Sequence, residues 1–279
     1  MVEGRRELEH CLAAGFQLRT LFVCPEICPD KGAGLLKADA LLEKPFPQEA
    51  INKADALLGK PFSQEAMNKA DAPWRNGFSG DVEVGPLVVE IPEALYRKVA
   101  YRESTEGIIA EVAYKSLELK DLRLPENPLV MVLESVEKPG NLGAVLRSAD
   151  AARADAVLVC DPLTDLYNPN LIRASIGAVF TVPTIACSSE DAIRFLQANG
   201  IQILTAQLQD SSLYYDTDMR RGTALVMGTE STGLTDSWRK AATAHIRIPM
   251  LGRLDSLNVS VSAAILLFEA VRQRQGCAI

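Results

Sequence analysis

Histidine is scarce in this sequence: among 279 residues it occurs only as His10 and His245. The common Ser-His-Asp and Cys-His mechanisms each need a histidine as general base, so the shortage argues against both. A metal site is also disfavoured, because the only close cysteine pair, Cys24 and Cys28, has no second pair or nearby histidine to complete a ligand set. We therefore expect no metal.

Long apolar stretches are absent as well. No run approaches the ~20 apolar residues needed to span a bilayer, and the N-terminal MVEGRRELEHCLAAG predicts an amphipathic helix rather than a signal peptide. With 48% hydrophobic and 23% charged residues, the chain has room for one large globular domain or two modest ones. The expectation is a cytoplasmic protein without a membrane partner, and its six scattered cysteines are expected to be free and mostly buried.

Positive charge is in the minority. The net charge of −7 and the pI of about 5.1 weigh against non-specific nucleic-acid binding, although they leave room for a local basic face. Two groups of basic residues could form such a face. Tyr96 and Tyr101 lie within the second group, a mix suited to stacking on bases and to contact with phosphate. The basic residues are Arg5, Arg6 and Arg19 in the first group, and Arg97, Lys98 and Arg102 in the second.

One segment is duplicated. KADALLEKPFPQEAIN (37–52) is followed directly by KADALLGKPFSQEAMN (53–68), with thirteen of sixteen positions identical, and a third copy begins as KADAP (69–73). Two short copies are too few for a solenoid, and a proline interrupts each of them. We interpret the segment at about 37–73 as a duplicated insertion in a loop; a partner-binding arm is the alternative.

The order of apolar runs indicates two α/β parts. Before residue 115 the predicted strands are 18–23, 86–91 and 107–114, and the charged stretch 115–128 is the candidate boundary. After it, near-continuous apolar strands alternate with helices, which indicates a parallel sheet covered on both faces. The predicted strands are 129–133, 156–160, 201–206, 223–227 and 245–249, and the predicted helices are 142–152, 191–198 and 256–274.

Three polar loops follow three of those strands, where ligands of parallel sheets bind. Each alone has a structural explanation: Asn141 can cap the next helix, Gly228 and Gly233 can be turn residues, and Ser256 and Asn258 can cap the last helix. The dinucleotide fingerprint G-x-G-x-x-G is absent, which argues against a dehydrogenase.

In order, the loops read N-x-G-x-x-x-R (141–147), G-x-E-x-x-G-L (228–234) and I-x-I-P-M-x-G-x-x-x-S-L-N-V-S (246–260). This series resembles the SpoU/TrmH branch of the SPOUT RNA methyltransferases, from Asn127 to about Gln273. The upstream part resembles an L30e-like RNA substrate-binding domain. The resemblance implies an α/β chain with an L30e-like domain at 1–125 and, at 126–279, a parallel-sheet SPOUT domain with a deep trefoil knot. It also implies a homodimer.

The resemblance further implies S-adenosyl-L-methionine as cofactor and a set of site residues. The implied cofactor-binding residues are Met227, Gly228, Ile248, Met250, Ser256 and Leu257, and the implied catalytic residues are Arg147, Asn141, Glu230 and Asn258. Because a free guanidinium is a poor base, we favour Arg147 as the group that grips a phosphate and stabilises the developing alkoxide, with general-base action left open. Arg173, in an R-x-S-x-G stretch, is a further candidate RNA contact.

The implied function is methyl transfer to a ribose 2′-hydroxyl of structured RNA, with large-subunit rRNA favoured over tRNA. A catalytically silent RNA-binding protein of the same fold is the alternative, and the intact loop residues argue against it.

Overall fold

The computed structural model describes residues 1–30, 86–101, 106–229, 232–254 and 256–275. The duplicated segment at about 37–73, Arg102 and Glu230 therefore lie outside the described residues. The chain divides into two compact units, Met1–Phe16 with Tyr114–Ile279 and Gln17–Ala113. The predicted L30e-like and SPOUT domains, 1–125 and 126–279, stay a prediction.

The helices and strands are numbered in chain order. The helices are α1 (Arg5–Ala13), α2 (Glu93–Val99), α3 (Pro139–Ala151), α4 (Pro169–Ser175), α5 (Ala178–Thr181), α6 (Ser189–Ala198), α7 (Asp236–Ala241) and α8 (Val259–Arg274). The strands are β1 (Val2–Glu3), β2 (Leu18–Val23), β3 (Leu87–Glu90), β4 (Ile108–Val112), β5 (Leu129–Glu134), β6 (Ala156–Cys160), β7 (Thr184–Cys187), β8 (Gln202–Ala206), β9 (Ser212–Leu213), β10 (Thr223–Met227) and β11 (Ala244–Arg247).

In the unit Gln17–Ala113, β2 pairs with β3 in parallel and with β4 antiparallel. Helix α2 packs on these strands through Tyr96, which is fully buried and donates a hydrogen bond from its hydroxyl to the Ile108 carbonyl at 3.4 Å. The expectation that Tyr96 could stack on RNA is therefore wrong: this ring fills the core. Tyr101 is 55% exposed.

The larger unit contains a seven-stranded sheet in the order β7-β6-β5-β10-β8-β11-β9. Every neighbouring pair in it is parallel. All residues of β5, β6 and β10 are buried, since helices cover both faces of these valine- and leucine-rich strands. The predicted α/β fold with a parallel sheet is confirmed; the trefoil knot stays a prediction.

Helix α3 begins three residues earlier than predicted. Pro139 occupies its first turn, where a fixed φ suits the helix and the missing N–H costs nothing. Lys138 is consequently the N-cap residue, and the interpretation of Asn141 as a cap is wrong. Asn258 does cap α8, because its Oδ1 accepts a hydrogen bond from the Ser260 amide at 2.9 Å.

The last helix is tied to the start of the sheet by Arg274. Its guanidinium donates hydrogen bonds to the carbonyls of Met219 (2.9 Å), Asn127 (2.7 Å), Pro128 (3.0 Å) and Arg221 (2.8 Å). Hydrogen bonds from a charged donor are among the stronger ones in proteins. They hold the end of α8 against the segments that precede β5 and β10.

The five described cysteines are free thiols, and four of them are buried. Burial raises the pKa of Cys11 to about 12, which keeps this thiol protonated and unreactive at neutral pH. Across the described ranges, α8 and the shorter helices all fall below the length and apolar character that a bilayer crossing requires.

Candidate functional site

The carboxyl ends of β8, β10 and β11 surround a cavity of about 400 Å³. This volume lies within the range of small-molecule sites. The six residues predicted to bind the cofactor all line it: Met227, Gly228, Ile248, Met250, Ser256 and Leu257. The structure thus brings the second and third loops together around one space, and the role of these residues there stays a proposal.

The second loop folds tightly back on itself. Thr229 and Gly233 form an isolated bridge, in which the Gly233 amide donates to the Thr229 carbonyl at 3.1 Å. A Cβ on Gly228 would lie 2.3 Å from the carbonyl carbon and oxygen of Gly233. Gly233 itself has a φ of +68°, which glycine adopts without strain. Both glycines are therefore needed for the shape of the cavity wall.

A smaller cavity of about 220 Å³ adjoins the first. The first loop forms one side of it, from Ser135 to Lys138 and at Asn141, and three residues line both cavities. The shared residues are Gly228, Thr229 and Val259. The candidate cofactor space and the first loop are therefore separated by no more than the second loop and the start of α8.

Asn141 and Asn258 are brought together although they are far apart in sequence. The Asn258 Nδ2 donates a hydrogen bond to the Asn141 Oδ1 at 3.1 Å, while the Asn258 Oδ1 holds Ser260. This contact joins the third loop to the first. Of the four predicted catalytic residues these two therefore share the site, and Glu230 lies outside the described residues.

Arg147 is exposed on α3 and lines neither cavity. It is six residues beyond Asn141, which corresponds to about 9 Å along the helix axis and a different face. Arg173 is exposed on α4. Neither guanidinium group makes a hydrogen bond or ion pair with the described residues. Both guanidinium groups are thus available to a ligand outside the chain.

Helices α3 and α4, which carry these two arginines, pack very closely. A Cβ on Gly143 would lie 2.5 Å from the Ala174 Cβ and 2.8 Å from the Ser175 amide nitrogen. Glycine at 143 is therefore required for the helices to approach each other. It accounts for the glycine of the first loop motif in packing terms.

One wall of the larger cavity was not predicted from the sequence. It is formed by Ala206, the last residue of β8, and by the three residues that follow it, up to Gln209. The Gln207 Oε1 is buried there and has no hydrogen-bond partner in the part of the chain that the structure describes. The rule that ligands bind beyond the carboxyl ends of parallel strands would have identified this segment, since β8 itself was predicted.

The lining chemistry suits a polar ligand that carries a carboxylate or another negatively charged group. Its charged members among the described residues are the two cations Arg239 and Arg247, and most other contacts come from backbone, hydroxyl and aliphatic groups. Such a lining can hold and orient a nucleoside-like molecule. Neither histidine lines it, so its described side chains offer no group that exchanges protons readily near neutral pH.

The comparisons with known proteins agree with this geometry. The sequence profile of the SpoU rRNA methylase family matches residues 128–268. The 23S rRNA (guanosine-2′-O-)-methyltransferase RlmB of Bordetella pertussis is 35% identical over 198 residues, which are 69% of this chain and 79% of that protein. The chain belongs to the SpoU rRNA methylase family.

Two solved structures are similar over nearly the whole chain. A crystal structure of an RNA 2′-O ribose methyltransferase matches with a TM-score of 0.69 and 34% identity, covering 98% of this chain and 88% of that one. An rRNA methyltransferase from Sinorhizobium meliloti with bound AdoMet matches with a TM-score of 0.72 and 26% identity, covering 97% and 85%. The SPOUT fold of the larger unit rests on these matches and on the parallel sheet.

Proposed function

We propose that this chain transfers a methyl group from S-adenosyl-L-methionine to a ribose 2′-hydroxyl of structured RNA, and that large-subunit rRNA is the substrate. One observation carries the proposal: all six residues expected to bind the cofactor line a single cavity, and Asn141 lines the cavity that adjoins it. Membership of the SpoU rRNA methylase family and the similarity to a 23S rRNA 2′-O-methyltransferase support the choice of reaction and substrate.

The cavity fits the cofactor. When bound, S-adenosyl-L-methionine supplies an electrophilic methyl group on a sulfonium centre. The backbone at Met227, Gly228 and Ile248 would hold the nucleoside, because all three residues line the cavity and the absence of a side chain at 228 lets the second loop close tightly beside it.

The residues around the smaller cavity would bind and position the RNA. Asn141, held by Asn258, would position the target nucleotide beside the cofactor cavity. Arg147 would bind the phosphate next to the target ribose and stabilise negative charge on the 2′-oxygen as its proton leaves. Glu230 belongs to the proposed catalytic set through its place in the second motif.

A homodimer is part of the proposal. Helix α8 carries Val261 and Phe268, each 48% exposed, and the half-buried Ile265 between them. Their i, i+4, i+7 spacing places the three side chains on one face, and such an apolar stripe suits a second copy of the chain. Sedimentation at micromolar concentration is expected to give twice the chain mass of 30.3 kDa; a monomer would contradict the dimer.

We further propose that the protein acts in the cytoplasm, where rRNA is modified.

The test of function is transfer of labelled methyl from S-adenosyl-L-methionine to unmodified RNA. Large-subunit rRNA transcripts and a tRNA pool are compared under identical conditions. We expect label on the rRNA. Label on tRNA alone would keep the reaction and reject the substrate, whereas cofactor binding without label on either RNA would favour a catalytically silent RNA-binding protein.

A further inference from the structure

A buried carboxylate links the first and second loops. Glu134 is the last residue of β5, where the first loop begins, and it is only 2% exposed. Its Oε2 accepts a hydrogen bond from the Thr235 amide at 2.9 Å, and its Oε1 accepts one from the Thr235 hydroxyl at 2.7 Å. Thr235 is the residue that directly follows the second loop.

The link is supported by a second layer of hydrogen bonds. The Ser189 hydroxyl lies 3.4 Å from the Glu134 Oε1 and donates to the Asp161 carboxylate at 2.6 Å. The indole of Trp238, which is fully buried on α7, donates to the same hydroxyl at 3.0 Å. The pair formed by Glu134 and Thr235 is therefore held in place by side chains of α6, of α7 and of the residue that follows β6.

The pair formed by Glu134 and Thr235 lies between the first and second loops, so it can control the shape of both. The second loop, 228–234, is closed by the Thr229–Gly233 bridge and is held in place at its end by Thr235. Ser135, the residue after Glu134, has a φ of +52°, an uncommon conformation for serine. Glu134 thus stands where the first loop turns and where the second loop is anchored.

We propose that Glu134 is a positioning residue for methyl transfer: through Thr235 it holds the second loop in the shape that binds the cofactor, beside the loop that carries Asn141. This inference rests on the proposed function. Glu134 lines neither cavity and would touch neither the cofactor nor the RNA. It acts by fixing the positions of Gly228 and Thr229, which line both cavities.

Glu134→Gln is the informative variant, because it keeps size and burial but removes the charge and one of the two acceptor oxygens that bind Thr235. Hydrogen bonds to a charged acceptor are strong enough that the loss of one changes an affinity about tenfold or more. We expect the dissociation constant for S-adenosyl-L-methionine to rise about tenfold. Thr235→Val should weaken binding in the same direction, whereas Thr235→Ser, which retains both donors, should bind as the wild type does.

Glu269→Gln is the matched control. Glu269 is a similarly buried acid, 8% exposed, and is bound by Arg272 and Gln273 on the far end of α8. Its variant is expected to leave cofactor affinity unchanged when titrations are run well below each variant's melting temperature. A purely structural role for Glu134 would lower the melting temperature with no change in affinity, and that result would overturn the inference.

Hydrogen exchange gives a second readout that needs no ligand. Protection of the Gly233 amide, which is bonded to the Thr229 carbonyl, should fall about tenfold in Glu134→Gln and stay unchanged in Glu269→Gln. Unchanged protection would overturn the inference. Failure of the wild type to bind cofactor would instead reject the proposed function, and the exchange experiment would still decide the role of Glu134.

Discussion

Replacement of Arg147 by alanine is expected to remove methyl transfer while cofactor binding persists. Arg147 lies outside the cavity assigned to the cofactor, and its guanidinium has no partner among the described residues, so it is free to bind RNA. Removal of one group that stabilises charge in a transition state typically costs about a hundredfold to a thousandfold in rate. The measurement is the single-turnover rate on rRNA together with the dissociation constant for S-adenosyl-L-methionine.

Two further variants sharpen this result. Arg147→Lys keeps the charge but loses the planar, bidentate geometry, so it should be intermediate if the residue grips a phosphate. Arg194→Ala removes another exposed helical arginine, one that is paired with Asp191, and it should leave the rate unchanged. An Arg147→Ala rate within a few-fold of the wild type would remove Arg147 from the catalytic set.

The second large effect is expected at Gly228. A Cβ there would lie 2.3 Å from the backbone of Gly233, so Gly228→Ala must open the tight second loop. Overpacking of this kind typically costs about 1–3 kcal/mol, which corresponds to about ten- to hundredfold weaker cofactor binding if the loop is displaced. Calorimetric titration with S-adenosyl-L-methionine measures the change directly.

Gly252→Ala is the control for that experiment. Gly252 belongs to the third loop, but it does not line the cavity and a Cβ there would meet no atom within 4 Å. Its substitution should leave cofactor binding unchanged. Equal binding by Gly228→Ala and the wild type would show that the second loop does not form the cofactor site.

The strands of the sheet were predictable because burial on both faces leaves near-continuous apolar runs. Strands β2, β6 and β10 have the predicted bounds, and β5 extends the prediction by one residue. Strand β7 was missed, since its four residues, TIAC, are too few to give a pattern. The start of α3 was misplaced because Pro-Gly suggests a turn, whereas a proline also suits the first turn of a helix.

The candidate site was partly predictable for a different reason. Its loops carry residues whose order is typical of a family, and these residues line the cavities. The link between Glu134 and Thr235 left no local signal, because the two residues are separated by 101 positions and only the fold brings them together. Burial of Tyr96 was hidden similarly, since basic neighbours on the exposed face of α2 suggested a surface ring.

Ribose methylation is tested most directly by the chemical position of the transferred methyl group. A methyl on the ribose 2′-oxygen removes the nucleophile of alkaline hydrolysis, so the adjacent phosphodiester bond resists alkali. Labelled large-subunit rRNA from the transfer reaction is hydrolysed in alkali and separated by size. We expect the label to stay in alkali-stable dinucleotides, whereas label in mononucleotides would mean that a base is methylated and would rule out transfer to the ribose.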